Sequence, residues 1–578
     1  MTTPDVRTGV PGSESLSEAA RLLAGLSTAG AAGVPPTGTG GVPSAGPNGA
    51  PTAGATPTAA AGGAPPAGTS PAAGTNWLPA TGTGAAPTTG AFGAPAAAAP
   101  AATTATTPAA VPSAAPEAAP GVMAGSPPPA TLPAGASEGA LLGSAQGLGA
   151  ETGMPRYPTT SAAGAPGAAG ARRGGFSPEA ARQDIPILHR TVNGHPLVWL
   201  DNGATTQKPR QVIEALAAFY GAANSNIHRG AHTMAREATE AYEAGRAAVA
   251  DFLGAAAPED IVFTRGTTEA VNLVAQSWGR ANLGPGDDIL VPVLEHHSNI
   301  VPWQLIAKER RARVVPVPLT PEGEIDQDAY ADLLSSRTQL VALSHASNVL
   351  GTVPPVAQMT ALAHRYGAKV LVDGAQAVAH LPVDVQALDA DFYAFSGHKL
   401  FAPTGIGALY AKPEVLAAMP VWQGGGNMIE SVDFGETTFA AVPHRLEAGT
   451  GNIGGVVGLL SALQWLTSFD RDAVAAYETA LTGYAQQALA TVPGLEILGA
   501  AADRIAVLTF TLAGQDPAAI ADCLDRDGIA VRAGHHCAQP ALRHYGLESA
   551  VRASFALYNT SQEVDALVGS LHRMQQSP

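Results

Sequence analysis

From Phe176 onward, short apolar runs alternate with longer segments whose apolar residues recur every three or four positions. The runs DIVFTRG (260–266), DDILVPVLEH (287–296), TQLVALSHAS (338–347), AKVLVDGAQ (368–376) and DFYAFSGHK (391–399) predict strands, each with an apolar centre and a polar exit. Between them, TTEAVNLVAQSW (267–278), NIVPWQLIAKERR (299–311) and the stretch around MTALAHRYG (359–367) predict helices. Strands without a polar face, separated by helices, predict a largely parallel sheet covered on both sides, an α/β architecture. After about residue 460 the pattern changes. Helical stretches (456–466 and 473–492) lead to RIAVLTFTL (504–512), a helix at 517–528 and IAVRAGHHC (529–537). This predicts a smaller α+β domain over 456–578, appended to a larger one over 176–455.

The first 175 residues break the pattern. Residues 31–110 hold no Asp, Glu, Lys or Arg, and their large apolar side chains are Val34, Val42, Trp77, Leu78 and Phe92 alone. Such a stretch cannot bury enough apolar surface to offset the entropy of ordering its backbone, so a disordered Pro/Ala/Gly-rich arm is expected over 1–175. Three islands interrupt it. SESLSEAARLLAGL (13–26) carries Leu16, Ala19, Leu22, Leu23 and Leu26 on a helical period, with Ser15 and Glu18 as a capping pair. NWLP (76–79) and SEGALLGSAQGLG (137–149) are weaker apolar clusters. Short apolar segments in a disordered arm are a common way to dock a partner.

Charge and cysteine usage narrow the function. A formal charge of −16 opposes binding to nucleic acid or anionic lipid. The start, MTTPDVRTGVPG, has no basic region followed by an apolar core, and no apolar run is long enough to span a bilayer. Two cysteines, Cys523 and Cys537, are no disulfide framework and fit a reducing cytoplasm. Cys523, within IADCL, reads as a core residue.

The candidate chemistry lies at strand exits. In SGHKLFAPTGIGALY (396–410), Lys399 follows a strand and precedes a Gly-rich turn, as an amine that condenses with an aldehyde cofactor must be positioned. Asp373 ends an apolar strand in VDGAQAV, where open α/β sheets bind ligands, and a carboxylate there can keep a pyridine nitrogen protonated. RGTTEAV places Gly266, Thr267 and Thr268 at a helix start, an anion site. EHHSN (295–299) offers an imidazole that can stack on a flat ring. In RAGHHCAQP (532–540), Cys537 has Arg532, His535 and His536 beside it, a neighbourhood suited to a reactive thiolate. His-His-Cys is also a metal-like string. No second Cys or His pair lies at ligand spacing, so no metal is expected.

Together with WLDNGATTQKP, NIHRGAHT, SHASNVLGT, RLEAGTGNIGG and RASFALYNT, these motifs resemble the class-V aminotransferase family, and within it the SufS-like (group II) cysteine desulfurases, over about residues 180–575. The resemblance implies a pyridoxal 5'-phosphate (PLP) dependent transferase of fold type I, acting as a homodimer on L-cysteine. Lys399 would hold the cofactor and move the Cα proton, Asp373 would pair with the pyridine nitrogen and Gln376 would bond the ring oxygen. His296 would stack on the ring. Thr267 or Thr268, with Ser396 and His398, would hold the phosphate, and Thr450 would reach the phosphate of the other subunit. Asn348 and Arg552 would bind the substrate carboxylate, and Cys537 would take the sulfur as a persulfide, releasing L-alanine. Three positions depart from the family pattern: Asn202-Gly203-Ala204, Ala402 and Gly451. The arm resembles the cargo-loading arm of cysteine desulfurases packaged inside family 2 encapsulin shells, which implies a shell-protein partner within a cytoplasmic nanocompartment. Two alternatives share these residues. One is a PLP lyase acting on selenocysteine or another β-substituted amino acid. The other is a free desulfurase whose arm tethers a sulfur-acceptor protein.

Overall fold

In a computed structural model, which describes residues 176–576 apart from Arg229, the apolar runs form a seven-stranded sheet. The arm and its three islands lie outside the described residues. The strands are β1 (Ile261–Thr264), β2 (Asp288–Pro292), β3 (Arg313–Val317), β4 (Thr338–Ser344), β5 (Lys369–Asp373), β6 (Phe392–Ser396) and β7 (Gly407–Ala411). Their spatial order is β1-β7-β6-β5-β4-β2-β3. Pairing is parallel from β6 through β3, while β7 is antiparallel to both β6 and β1. The expected parallel sheet therefore holds one reversed strand. β7 follows β6 after a short Gly-rich turn, too short for the crossover that a parallel neighbour needs.

Alternation along each strand sorts side chains onto two cores. Leu290, Val341, Leu343, Val370, Val372, Tyr393 and Phe395 enter one apolar cluster. Ile289, Val291, Leu340, Ala342, Leu371, Phe392 and Ala394 enter another on the opposite face. Both faces are buried, which is why the strands read as continuous apolar runs. Helices α1 (Thr233–Leu253), α2 (Thr267–Val274), α3 (Val301–Arg310) and α4 (Val356–Arg365) cover the faces, with Trp303 and Ile306 of α3 on the second cluster.

Helices α5 (Ile453–Thr467) and α6 (Arg471–Leu489) lead into a four-stranded antiparallel sheet of β8 (Leu495–Ile497), β9 (Val507–Leu512), β10 (Arg532–Gly534) and β11 (Ala550–Ser554), ordered β8-β9-β11-β10. Helices α7 (Pro517–Arg526) and α8 (Ser561–Gln576) complete this α+β part. Cys523 is half-buried in α7 rather than in the core. Ile520 and Leu524 define the inward face of that helix, and Cys523 sits on its shoulder.

The start of the described chain belongs with this second part. Phe176 packs on Phe469 and Tyr477, with ring centroids 5.8 and 5.3 Å away. Val198–Trp199 pairs in parallel with Ile529–Ala530, and Ser554 N–H donates to the Leu200 carbonyl at 2.7 Å. That strand addition delivers Asp201 and Gly203 beneath β11. A buried ion pair ties the loop after β7 to the sheet. Glu447 accepts from Arg246 Nη1 at 2.6 Å, Arg246 Nη2 at 3.0 Å and the Phe263 N–H at 2.7 Å.

Candidate active site

Six strands of the large sheet share one direction, because β7 reverses against both of its neighbours. Their carboxyl ends open together onto a cavity of about 230 Å³, the position at which open α/β sheets bind ligands. Its lining gathers Thr267, Thr268, His296, Asn348, Asp373, Gln376, Ser396, His398, Lys399, Cys537 and Arg552. Residues from segments hundreds of positions apart thus meet in one place.

Asp373 is the last residue of β5 and is buried. Its Oδ1 accepts from the Ala375 N–H at 2.9 Å, and burial pushes its carboxyl above the usual range. Gly374 follows because nothing larger fits: a Cβ there would lie 2.2 Å from the Tyr393 ring. Lys399 closes a short 3₁₀ turn after β6. Burial lowers its amine to about 8, Asp373 pulls the other way, and Arg552 adds to the lowering. A neutral amine at moderate pH is what condensation with an aldehyde requires. His296 begins the turn after β2, with Nδ1 2.8 Å from Ser298 Oγ, and burial and then Lys399 lower it to about 3. It is a neutral imidazole.

Gly266, at φ 147°, turns β1 into α2. A Cβ there would come within 2.9 Å of Ser396 Oγ. Ser396 Oγ in turn accepts from the Thr267 N–H at 2.9 Å and lies 2.9 Å from Thr267 Oγ1. Thr268 and Glu269 N–H have no acceptor among the described residues, as at any helix start, and point the positive end of α2 at the cavity. The His398 carbonyl accepts from Lys208 Nζ at 3.0 Å, and the imidazole is lowered to about 4, first by burial.

The other wall comes from the second sheet. Arg552, at the centre of β11, is buried. Nη1 donates to the Asn348 carbonyl at 2.9 Å and Nη2 to Asp201 Oδ1 at 3.1 Å, while Nε has no partner among the described residues. The missing side chain at Gly203 makes room for it, since a Cβ would stand 3.0 Å from Arg552 Cζ. Gln376 Nε2 donates to the Gly203 carbonyl at 2.8 Å. Asn348 Nδ2 donates to the His536 carbonyl at 2.7 Å, joining β4's exit to the cysteine loop. In that loop His536 and Cys537 both adopt left-handed backbone, at φ 50° and 55°. The Cys537 carbonyl accepts from the His297 N–H at 2.7 Å, and the Cys537 N–H donates to His535 Nδ1 at 3.0 Å. The buried His536 Nδ1 has no partner among the described residues.

The donor set fits pyridoxal phosphate. Lys399 Nζ makes no hydrogen bond among the described residues, Asp373 is a buried carboxylate across the cavity, and free N–H groups with hydroxyls suit a phosphate. Arg552 is a buried guanidinium whose Nε has no partner among the described residues, a donor that suits a substrate carboxylate. Thr450 is elsewhere. It is exposed and lines a separate cavity of about 420 Å³ with Arg265, Trp422 and Asn452. Sequence reasoning gave no role to Asp201 or His297, although WLDNGATT and EHHSN were visible. Their partners lie more than 200 residues away.

Residues 198–567 match the family model Aminotransferase class-V. A cysteine desulfurase of Synechococcus elongatus is 52% identical over 422 residues, covering 73% of this chain and 67% of that protein. A probable cysteine desulfurase of Mycolicibacterium paratuberculosis is 52% identical over 399 residues, covering 69% of this chain. The chain spans 58% of that relative's length. Among solved structures, the Escherichia coli cysteine desulfurase CsdA in its S-sulfonic acid form is 44% identical with a TM-score of 0.65, covering 69% of this chain and 99% of that one.

Proposed function

The chain belongs to the class-V aminotransferase family, and on that footing we propose that it is a PLP-dependent cysteine desulfurase of the SufS-like group, holding sulfur as a persulfide on Cys537. The observation that carries this reading is that one cavity brings an amine, a buried carboxylate, a buried arginine and a thiol together, as Lys399, Asp373, Arg552 and Cys537.

Bound PLP supplies an aldehyde for amine exchange and a conjugated ring that takes up electrons from the substrate's Cα. Lys399 would hold the cofactor, and its Nζ would then carry the proton removed from Cα. Asp373 would keep the ring nitrogen protonated. His296, neutral and held by Ser298, would stack on the ring and assist proton transfer, while Gln376 would bond the ring oxygen. Thr267, Thr268, Ser396 and His398 would hold the phosphate. Arg552 and Asn348 would fix the substrate carboxylate, aiming the cysteine sulfur at Cys537. Attack by the Cys537 sulfur forms an S–S bond and breaks the substrate C–S bond. The electron pair stays with Cβ, which takes up a proton, and with the Cα proton returned from Lys399 Nζ the product leaves as L-alanine.

The test is L-alanine and sulfide release from L-cysteine with reductant, comparing wild type with Cys537→Ala at matched PLP content. Near-complete loss in the variant is expected. Equal activity would move the reading to a lyase that needs no thiol of its own.

Two further layers belong to the same proposal. The enzyme is a homodimer in which Thr450 completes the partner's phosphate site, consistent with its exposure outside this chain's own cavity. The arm over 1–175 loads the enzyme into an encapsulin shell, a reading supported by its uncharged, Pro-rich spacers and isolated apolar islands. A chain lacking 1–175 is expected to turn over cysteine normally and to fail to co-purify with the shell protein. Equal loading would end the cargo reading, and loss of acceptor-stimulated turnover would favour a tether.

A further inference from the structure

We propose that His297, His535 and Cys537 form a binding site for a zinc-class metal ion at the mouth of the active-site cavity, and that occupancy switches the thiol off.

The three side chains come from two segments that no sequence spacing connects. One ring nitrogen of each imidazole and Cys537 Sγ all lie within 4.8 Å of one another. Tetrahedral zinc, with bonds of about 2.0–2.3 Å, sets its ligands about 3.3–3.8 Å apart, so the trio closes on an ion with about an ångström of side-chain movement. The backbone already holds the segments together. His297 N–H donates to the Cys537 carbonyl at 2.7 Å, and Gln539 N–H reaches His297 Nε2 at 3.3 Å. The two imidazoles face each other with centroids 5.5 Å apart.

The chemistry of the set selects the ion. One thiolate and two imidazoles suit zinc, or copper(I), over magnesium or calcium, which take oxygen ligands. None of the three is ion-paired among the described residues. A second group of similar geometry, His228, Glu243 and His444, differs on this point. There Glu243 is already neutralised by Arg246 and His228, each at 2.8 Å.

Three protein ligands leave a fourth position for water or a second thiol. Binding releases the thiol proton to solvent and commits a sulfur lone pair to the metal. The same lone pair would attack the substrate, so zinc and turnover exclude each other. This inhibitory consequence rests on the desulfurase reading, whereas the binding site itself does not.

The test uses holoenzyme freed of metal by a chelator. Zn²⁺ is titrated against a chromogenic chelator, and Co²⁺ is followed by its absorption. One equivalent per chain is expected, with a sulfur-to-cobalt charge-transfer band that Cys537→Ala abolishes. His297→Ala and His535→Ala should each weaken Zn²⁺ binding by about tenfold or more. Circular dichroism and bound-cofactor absorbance check that the variants are folded. Unchanged affinity in His297→Ala, a missing sulfur–cobalt band, or loss on His228→Ala instead would each overturn the site. Zn²⁺ bound at one equivalent with undiminished sulfide release would overturn the switch. A chain that binds Zn²⁺ as described but never releases sulfide from cysteine would support the site and sink the desulfurase reading.

Discussion

Asp201 Oδ1 accepts from Arg552 Nη2 at 3.1 Å, and its Oδ2 accepts from Arg532 Nε at 3.2 Å. The carboxylate is brought there by the pairing of the Val198–Trp199 strand with Ile529–Ala530, so the start of the described chain sets the angle of an arginine near its end. Arg552 would otherwise be a buried cation held by one carbonyl. Asp201→Asn keeps the shape and removes the charge. A charge-assisted bond contributes about 1.5–3 kcal/mol, so KM for L-cysteine should rise roughly tenfold or more while kcat changes little. Steady-state kinetics at matched PLP content decide it. A fall in kcat with KM unchanged would contradict this positioning role.

The Lys399 amine, lowered to about 8 by burial, is expected to govern cofactor capture. Only the neutral amine condenses with an aldehyde, so PLP uptake by apoenzyme should accelerate with pH around a midpoint near 8, well below an ordinary lysine at about 10.4. Asp373 favours the ammonium form, so Asp373→Asn should move the midpoint down. Between about 8 and about 10.4 the unfolded chain holds a proton that the folded chain has lost, so apoenzyme stability rises with pH across that window. Stopped-flow absorbance after mixing with PLP measures the midpoint. An upward move in Asp373→Asn would be the wrong sign.

Glu447 and Arg246 are both buried, and each satisfies the other. Glu447→Leu leaves a guanidinium buried against Tyr242 and Phe263 with less than its complement of acceptors. Breaking such a pair costs about 3–5 kcal/mol. Denaturant unfolding should show that loss, and adding Arg246→Met should recover a good part of it. If the double variant is as unstable as the sum of the two singles, the pair is not acting as a unit.

Gly374 is a matter of space. With a Cβ 2.2 Å from the Tyr393 ring, Gly374→Ala must push the ring or Asp373 aside. Overpacking of this kind costs about 1–3 kcal/mol, and displacement of Asp373 should weaken PLP retention as well. Equilibrium dialysis of the cofactor, run beside thermal unfolding, checks both halves. Wild-type retention would show that the strand end tolerates the methyl.

The strands and the chemistry at their ends were legible because one physical rule produces both. A strand buried on two faces reads as an apolar run, and the first polar residues after it stand at the sheet's carboxyl edge. Asp373, Lys399, His296 and Thr267 could all be marked in that way. The reversed β7 was not legible, since GALYA reads like any other buried strand and only the length of the turn before it limits its direction. Asp201 and His297 escaped for a different reason. What matters about each is its partner, at residue 552 for one and in the 535–539 loop for the other, and a pairing across that separation is decided by tertiary packing. The change of pattern after about residue 460 marked the helices and strands of the second part. The strand that the N-terminal segment lends it was not legible, because two residues carry no periodicity.

His536 and Cys537 hold left-handed backbone angles that β-carbon-bearing residues adopt at a penalty of about 1–2 kcal/mol each. Glycine would occupy the same angles without it. Heat resistance and sulfur chemistry therefore pull this position in opposite directions. In a lineage selected for durability alone, Cys537 is one of the positions where glycine would relieve the backbone. A tough, well-folded descendant with a glycine at this site would be a protein that had traded away its reaction while keeping every other wall of the cavity.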